Sequence, residues 1–235
     1  MVQRWHDLLF AHWPLAPDRV RPRLPRGLEL DLHDGAAWLG VIPFRMSGVR
    51  LRFAPPIPTT AAFPELNVRT YVRHGDRPGV FFFSLDARSR LAVALARRWF
   101  ALPYFRAEMR CEERAGEIAY RSRRTHAGAP PAELDVRYAP LEGPENEPRA
   151  TTPGSIAHFL TARYALFNED RQGALLTTEI DHAPWPLQPA RASFARNTLA
   201  EAAGFELPAT PPLLHFSRFL DVRIWSPRRA SPGQS

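Results

Sequence analysis

At 235 residues the chain is sized for one large domain, and an apolar fraction of 45% with 6 Trp and 15 Phe supplies a substantial buried core. Its 25 Pro and 13 Gly favour many turns and short strands over long helices. The formal charge of +7 comes from 31 basic residues, all arginine, scattered among 24 acids without a nucleic-acid-binding motif, so it speaks for solubility and against a nucleic-acid partner.

The first residues include Arg4, His6 and Asp7, unlike a secretion signal. No apolar run approaches the roughly 20 residues that span a bilayer, so a cytoplasmic protein without membrane contact is expected. The single cysteine, Cys111, excludes an internal disulfide and reads as a buried structural thiol rather than a nucleophile.

In chain order, Trp5 to Trp13 is an apolar opening segment closed by Pro14, and Pro17-Asp18 starts a short helix through Val20 to Leu24. Leu28 to Leu32 alternates as a strand, and Asp34-Gly35 is a turn into a long strand from Ala36 to Val49. That strand carries Arg45 among Ile42, Phe44 and Met46, where a partly buried guanidinium needs an acidic or carbonyl partner. Ala54 to Thr60 reads as a Pro-rich loop.

The segment from Phe63 to Met109 organises the rest. From Pro64 to Arg73, Glu65, Asn67, Arg69 and Tyr71 share one strand face, and Leu66, Val68, Thr70 and Val72 share the other. A Gly/Pro turn leads to the apolar strand Val80 to Leu85, then a helix from Leu91 to Phe100 stopped by Pro103. Tyr104 to Glu113 and Glu117 to Thr125 form a hairpin about Ala115-Gly116, and Ala127 to Pro131 is a turn. Ala139 to Pro153 is the least ordered-looking stretch. Thr152-Pro153-Gly154-Ser155 opens a helix with Ile156, Phe159, Leu160 and Tyr164 on one stripe, Leu175 to His182 is a strand, and Ala183 to Leu187 a rigid apolar turn. Asn197 to Ala203 is a short helix. Leu213 to Trp225 is a final strand with His215, Ser217, Phe219, Asp221 and Arg223 on one side. One domain over 1–226 and a disordered tail over 227–235 are expected.

The runs FPELNVRTYV, FFFSLDA and LPYFRAEM, with the opening LLFAHWPLAPDRVRPRLPRGLELDLHDGAAWLGVIPFRM, IDHAPWPLQPA and LLHFSRFLDVRIW, resemble the YqjF-like family of uncharacterised bacterial proteins along nearly the whole chain. That resemblance implies the acetoacetate decarboxylase-like fold: α+β and β-rich, an antiparallel barrel or cone with a few peripheral helices and an internal ligand cavity. It implies a fold more firmly than an activity. In acetoacetate decarboxylases a lysine pair after a proline forms the Schiff base. The similar proline here is Pro103, followed by Tyr104 and Phe105, and the chain has no lysine to replace that amine. Schiff-base decarboxylation is therefore argued against. The resemblance also places Glu65 where the decarboxylases keep a cavity glutamate.

Glu65 and Tyr104 are the candidate catalytic groups, Glu65 as acid or base, and Arg45, Asn67, Arg69, Phe105, His12 and His215 are candidate ligand-binding residues. The competing reading of Glu65, Asn67, Arg69 and Tyr71 is a solvated outer face with a Glu65 to Arg69 pair, that of Arg45 is a structural ion pair, and that of His12, His182 and His215 is packed histidines. Glu179, Asp181 and His182 form a weak metal-like cluster; no metal motif, GxSxG elbow or phosphate loop occurs, so neither metal nor cofactor is expected. Three functions remain open: a binder of a small carboxylate or carbonyl compound, a lysine-independent lyase or hydratase using Glu65, and a structural or regulatory protein without a ligand. A homo-oligomer is compatible with all three.

Overall fold

Long strands account for most of the chain in the computed structural model, which describes residues 1–50, 62–88, 93 and 100–230. The strands are β1 (Val2–Leu15), β2 (Glu29–Leu30), β3 (Ala37–Arg50), β4 (Ala62–His74), β5 (Arg77–Ala87), β6 (Tyr104–Arg114), β7 (Glu117–Arg124), β8 (Glu133–Pro140), β9 (Ala165–Glu169), β10 (Leu175–His182), β11 (Gln188–Asn197), β12 (Leu213–Ile224) and β13 (Arg228–Arg229). The short α-helices bounded within the described residues are α1 (Pro17–Val20), α2 (Ile156–Thr161) and α3 (Leu199–Ala202). The β-rich α+β expectation holds. The helix expected from Leu91 to Phe100, apart from Val93 and Phe100, the loop at Ala54 to Thr60 and the end of the tail lie outside the described residues.

Turn chemistry explains the hairpins. β4 and β5 meet through Gly75-Asp76, with Gly75 at φ 57 and His74 opposite Arg77. β6 and β7 meet through Ala115-Gly116, both at positive φ (49 and 78), the twist-matched two-residue turn of antiparallel pairs. α2 is capped by Ser155, whose Oγ accepts from the His158 amide.

Hydrogen bonding joins the strands into two closed circuits. The smaller runs β12, β1, β3, β4, β5, β9, β10 and back to β12; the larger replaces β9 and β10 with β6, β7, β8 and β11. Pairing is antiparallel except for β5 with β6 and with β9. Alternation along the shared strands feeds two interiors. Leu9, Ala11, Leu39, Val41, Leu66 and Val68 join the core of the larger circuit with Met109, Ile118, Tyr120, Val136, Tyr138 and Phe216. Their neighbours Leu8, Phe10, Ile42 and Phe44, together with Tyr71, Leu85 and Ile180, fill the smaller one.

Two expectations need correction. The last strand does not keep one polar side: Ser217 is buried, whereas Phe219 is 55% exposed. The cause lies opposite, where Asp7 at φ 53 interrupts the β1–β12 ladder between the His6–Phe219 and Leu8–Ser217 pairs. Part of the segment expected as a disordered tail is a strand, because Arg228 and Arg229 pair with Thr177 and Leu176 of β10.

Candidate functional site

β4 delivers four polar residues to the smaller circuit, and all four are buried: Glu65, Asn67, Arg69 and Tyr71. The neighbouring strands set their surroundings by register, with Phe44 opposite Glu65, Ile42 opposite Asn67 and Gly40 opposite Arg69. On the next strand His12 lies opposite Gly40, and beyond it His215 lies opposite Phe10. The Glu65 to Arg69 pair on a solvated outer face, the competing reading, does not form.

Glu65 accepts a hydrogen bond at Oε2 from the Tyr104 hydroxyl at 2.9 Å. Burial pushes its carboxyl up to about 8, against the smaller opposing effect of that hydrogen bond. At neutral pH it is held mainly as the neutral acid, able to donate a proton or a hydrogen bond. Burial, and then the proximity of Glu65, hold the Tyr104 phenol well above its usual value. The backbone carbonyl of Glu65 is anchored from the other interior by the Tyr120 hydroxyl at 2.7 Å.

Arg69 donates from Nε to the Tyr71 hydroxyl (3.2 Å) and from Nη2 to the Leu160 carbonyl at the end of α2 (3.1 Å), with its guanidinium over the rings of Phe10 and Tyr71. No carboxylate pairs with it among the described residues. Tyr71 donates to the same carbonyl at 2.9 Å and lies 2.6 Å from His12 Nε2. Because its one proton goes to Leu160, the hydroxyl accepts from both Arg69 and His12, which assigns the His12 proton to Nε2 and leaves Nδ1 bare. Burial, followed by Arg69 and His215, holds His12 well below its usual value and therefore neutral. Gly40 makes the packing feasible: a Cβ there would lie 2.9 Å from His12 Nε2 and 3.4 Å from Arg69 Cγ. His12 Nδ1, Asn67 Oδ1, His215 Nδ1 and Ser217 Oγ are buried without hydrogen-bond partners among the described residues.

Two candidates do not join this group. Arg45 alternates with Phe44 and so turns away from the Glu65 side, where its Nε donates to Asp7 Oδ2 at 2.8 Å. Asp7 also receives Arg218 at 2.8 Å. This is the structural ion pair of the competing reading. Phe105 turns the other way from Tyr104, lies under the Arg124 guanidinium at 4.2 Å and meets His126 edge-on. Arg124 itself forms a buried two-bond pair with Asp86 (2.9 and 3.1 Å). The weak metal-like cluster comes apart as well: Glu179 takes Arg77 and Arg228, Asp181 faces Arg223, and His182 Nδ1 bonds the Ala183 carbonyl between the rings of Tyr164 and Trp185.

Sequence reasoning missed the role of Leu160, whose contribution is a backbone carbonyl, and of Gly40, which acts by having no side chain. It gave Tyr71 a place on the strand face but not its link to His12, 59 residues away.

Solved structures define the class. The enduracididine biosynthesis enzyme MppR complexed with pyruvate matches with a TM-score of 0.64 at 13% identity, over 98% of this chain and 90% of its own. An acetoacetate decarboxylase-like enzyme from Sphingomonas wittichii RW1 gives 0.62 at 16%, over 98% and 93%. Acetoacetate decarboxylase from Legionella pneumophila gives 0.62 at 12%, over 98% and 88%. The architecture is thus acetoacetate decarboxylase-like. Within it, the chain belongs to the family described as "Uncharacterized conserved protein", whose model matches residues 2–221. It is 42% identical over 231 residues to the "Uncharacterized protein YqjF" of Bacillus subtilis (strain 168), covering 98% of this chain and 93% of that one.

Proposed function

We propose that this protein binds a small carboxylate or carbonyl compound within the smaller circuit, without Schiff-base decarboxylation. The observation that carries the reading is the charge of that interior. Arg69 is a buried cation whose described partners are all neutral, and the carboxyl of Glu65, four residues earlier on the same strand face, is held mainly protonated at neutral pH. A buried charge without a counter-charge is costly, and a ligand carboxylate taken by the guanidinium would supply one. Glu65 and Asn67, next along the strand, suit a carbonyl on the same ligand. Pyruvate, which MppR holds, combines these two groups. Imine chemistry is disfavoured because the sequence contains no lysine.

The test is a thermal-shift screen of small carboxylates and carbonyl compounds on the native chain and on Arg69→Gln. Stabilisation of the native chain by a carboxylate, lost in the variant, is the expected result. Equal shifts in both proteins, or none from any carboxylate or carbonyl compound, would discard the site.

A second reading, a lyase or hydratase type of enzyme, has one observation in its favour: a carboxyl pushed up to about 8 is matched to proton transfer near neutrality. In that case Glu65→Gln removes turnover and spares ligand binding. Turnover unchanged in Glu65→Gln would remove Glu65 from the chemistry.

A further inference from the structure

The outer face of β6, β7, β8 and β11, on the far side of the larger core, carries a separate cationic concavity of about 900 Å³. Six arginines line it, Arg88, Arg106, Arg110, Arg121, Arg123 and Arg196, with three acids. Each acid already has an arginine: Glu108 pairs with Arg123 at 2.6 Å, Asp135 with Arg121 at 3.0 Å, and Glu133 with Arg196. Arg88, Arg106 and Arg110 form no direct ion pair among the described residues: Arg106 spends its donors on the Thr125 hydroxyl and carbonyl, and Arg106 and Arg110 share the more distant field of Glu108, which Arg123 already holds.

The register makes this more than a charge tally. Arg110 stands directly opposite Arg121, and the row continues through Asp135 to Arg196, placing three guanidiniums and one carboxylate across four adjacent strands. Side chains directly opposite in an antiparallel pair are roughly 5 Å apart at Cβ, and like charges there destabilise the sheet. Asp135 offsets the charge of Arg121, which leaves Arg110 as the excess cation of the row and an anion as the group that would relieve it. A guanidinium fork matches the oxygens of phosphate, and several arginines from neighbouring strands lining one concavity match several linked phosphates. Among the described residues no aromatic side chain lines the concavity, so these residues offer no stacking platform for nucleic-acid bases.

We propose that this concavity is a binding site for an oligophosphate anion, seated on Arg110 and Arg121 with Arg88 and Arg106 beside it. The site is independent of the ligand interior described above.

The experiment is titration calorimetry with inorganic triphosphate, ATP and citrate on the native chain, on Arg88→Gln/Arg110→Gln and on Arg26→Gln. Arg26 is an exposed arginine outside this face and controls for the loss of a surface cation elsewhere. Triphosphate should bind the native chain and Arg26→Gln equally, and the double variant more weakly by about tenfold or more, near 1.4 kcal/mol. With no phosphate present the double variant should melt no lower than the native chain, since the like-charge opposition is relieved. ATP binding as tightly as triphosphate supports a site for the phosphate chain alone, and tighter ATP binding supports the same site extended by a nucleoside. Citrate binding as tightly as triphosphate, equal weakening in Arg26→Gln, equal affinity of the double variant, or no triphosphate binding to the native chain would each overturn the proposal.

Discussion

Two buried residues of the candidate site, Glu65 and His12, pull the stability of the protein in opposite directions with pH. An unfolded glutamate releases its proton near 4.5, whereas folded Glu65 holds it to about 8. Between those values the folded state carries a proton that the unfolded state lacks, so each pH unit removes roughly 1.4 kcal/mol of stability from this group. Its contribution is fully present below 4.5 and gone above 8. For His12, held well below 6.5, the sign reverses: the unfolded chain takes up the proton first, and stability is lost as pH falls below 6.5. Glu65→Gln should therefore gain stability over the native chain progressively from pH 5 to 8 and no further beyond, measured as denaturant midpoints. Parallel curves for the two proteins across that window would contradict the buried, protonated state of Glu65. Residue types and alternation were enough to group Glu65, Asn67 and Arg69, because a period of two is local. Which side of the strand meets solvent was not legible, since both faces of β4 are covered by strands distant in sequence.

At the level of elements, legibility followed local signals. β4, β5, β6, β7, β10 and β12 announce themselves through alternation, apolar runs or turn residues, and short α1, α2 and α3 through Pro, Ser and apolar spacing. β1 reads as an apolar segment because its ladder break at Asp7 disturbs the period. β8 begins soon after a pair of prolines and runs into the Pro-rich stretch read as the least ordered-looking, and β11 alternates small residues with arginines too weakly to mark a strand. The Asp7 break is itself a structural device. Its carboxylate gathers Arg45 from β3 and Arg218 from β12, and its carbonyl accepts the Tyr138 hydroxyl from the larger core at 2.7 Å. Asp7→Ala should cost about 3 kcal/mol, because it strips a buried carboxylate from two arginines. Asp7→Gly should be the milder variant by about 1 kcal/mol, because glycine adopts φ 53 without the left-handed penalty. Equal losses in chemical denaturation would show that backbone conformation plays no part.

The whole molecule is two closed circuits sharing β12, β1, β3, β4 and β5, and this closure could not be read from the chain because it depends on pairs such as Val2 with Arg223. Most strands are paired on both sides, with β2 and β13 as short exceptions. The polar interior and the arginine-lined outer face are consequently kept apart by a continuous apolar core. One feature of that core gives a readout of the closure. Cys111 on β6 is partly buried against it, and burial drives its thiol up to about 12. At pH 8 an ordinary cysteine is partly thiolate, while this one is almost wholly protonated and shielded. Maleimide labelling of the folded protein should be slow and should rise towards the rate of a free thiol as denaturant separates β6 from its neighbours; labelling at the free-thiol rate in buffer would mean that the wall stands open. The lone thiol thus serves as a built-in clock for how often the larger circuit unlatches.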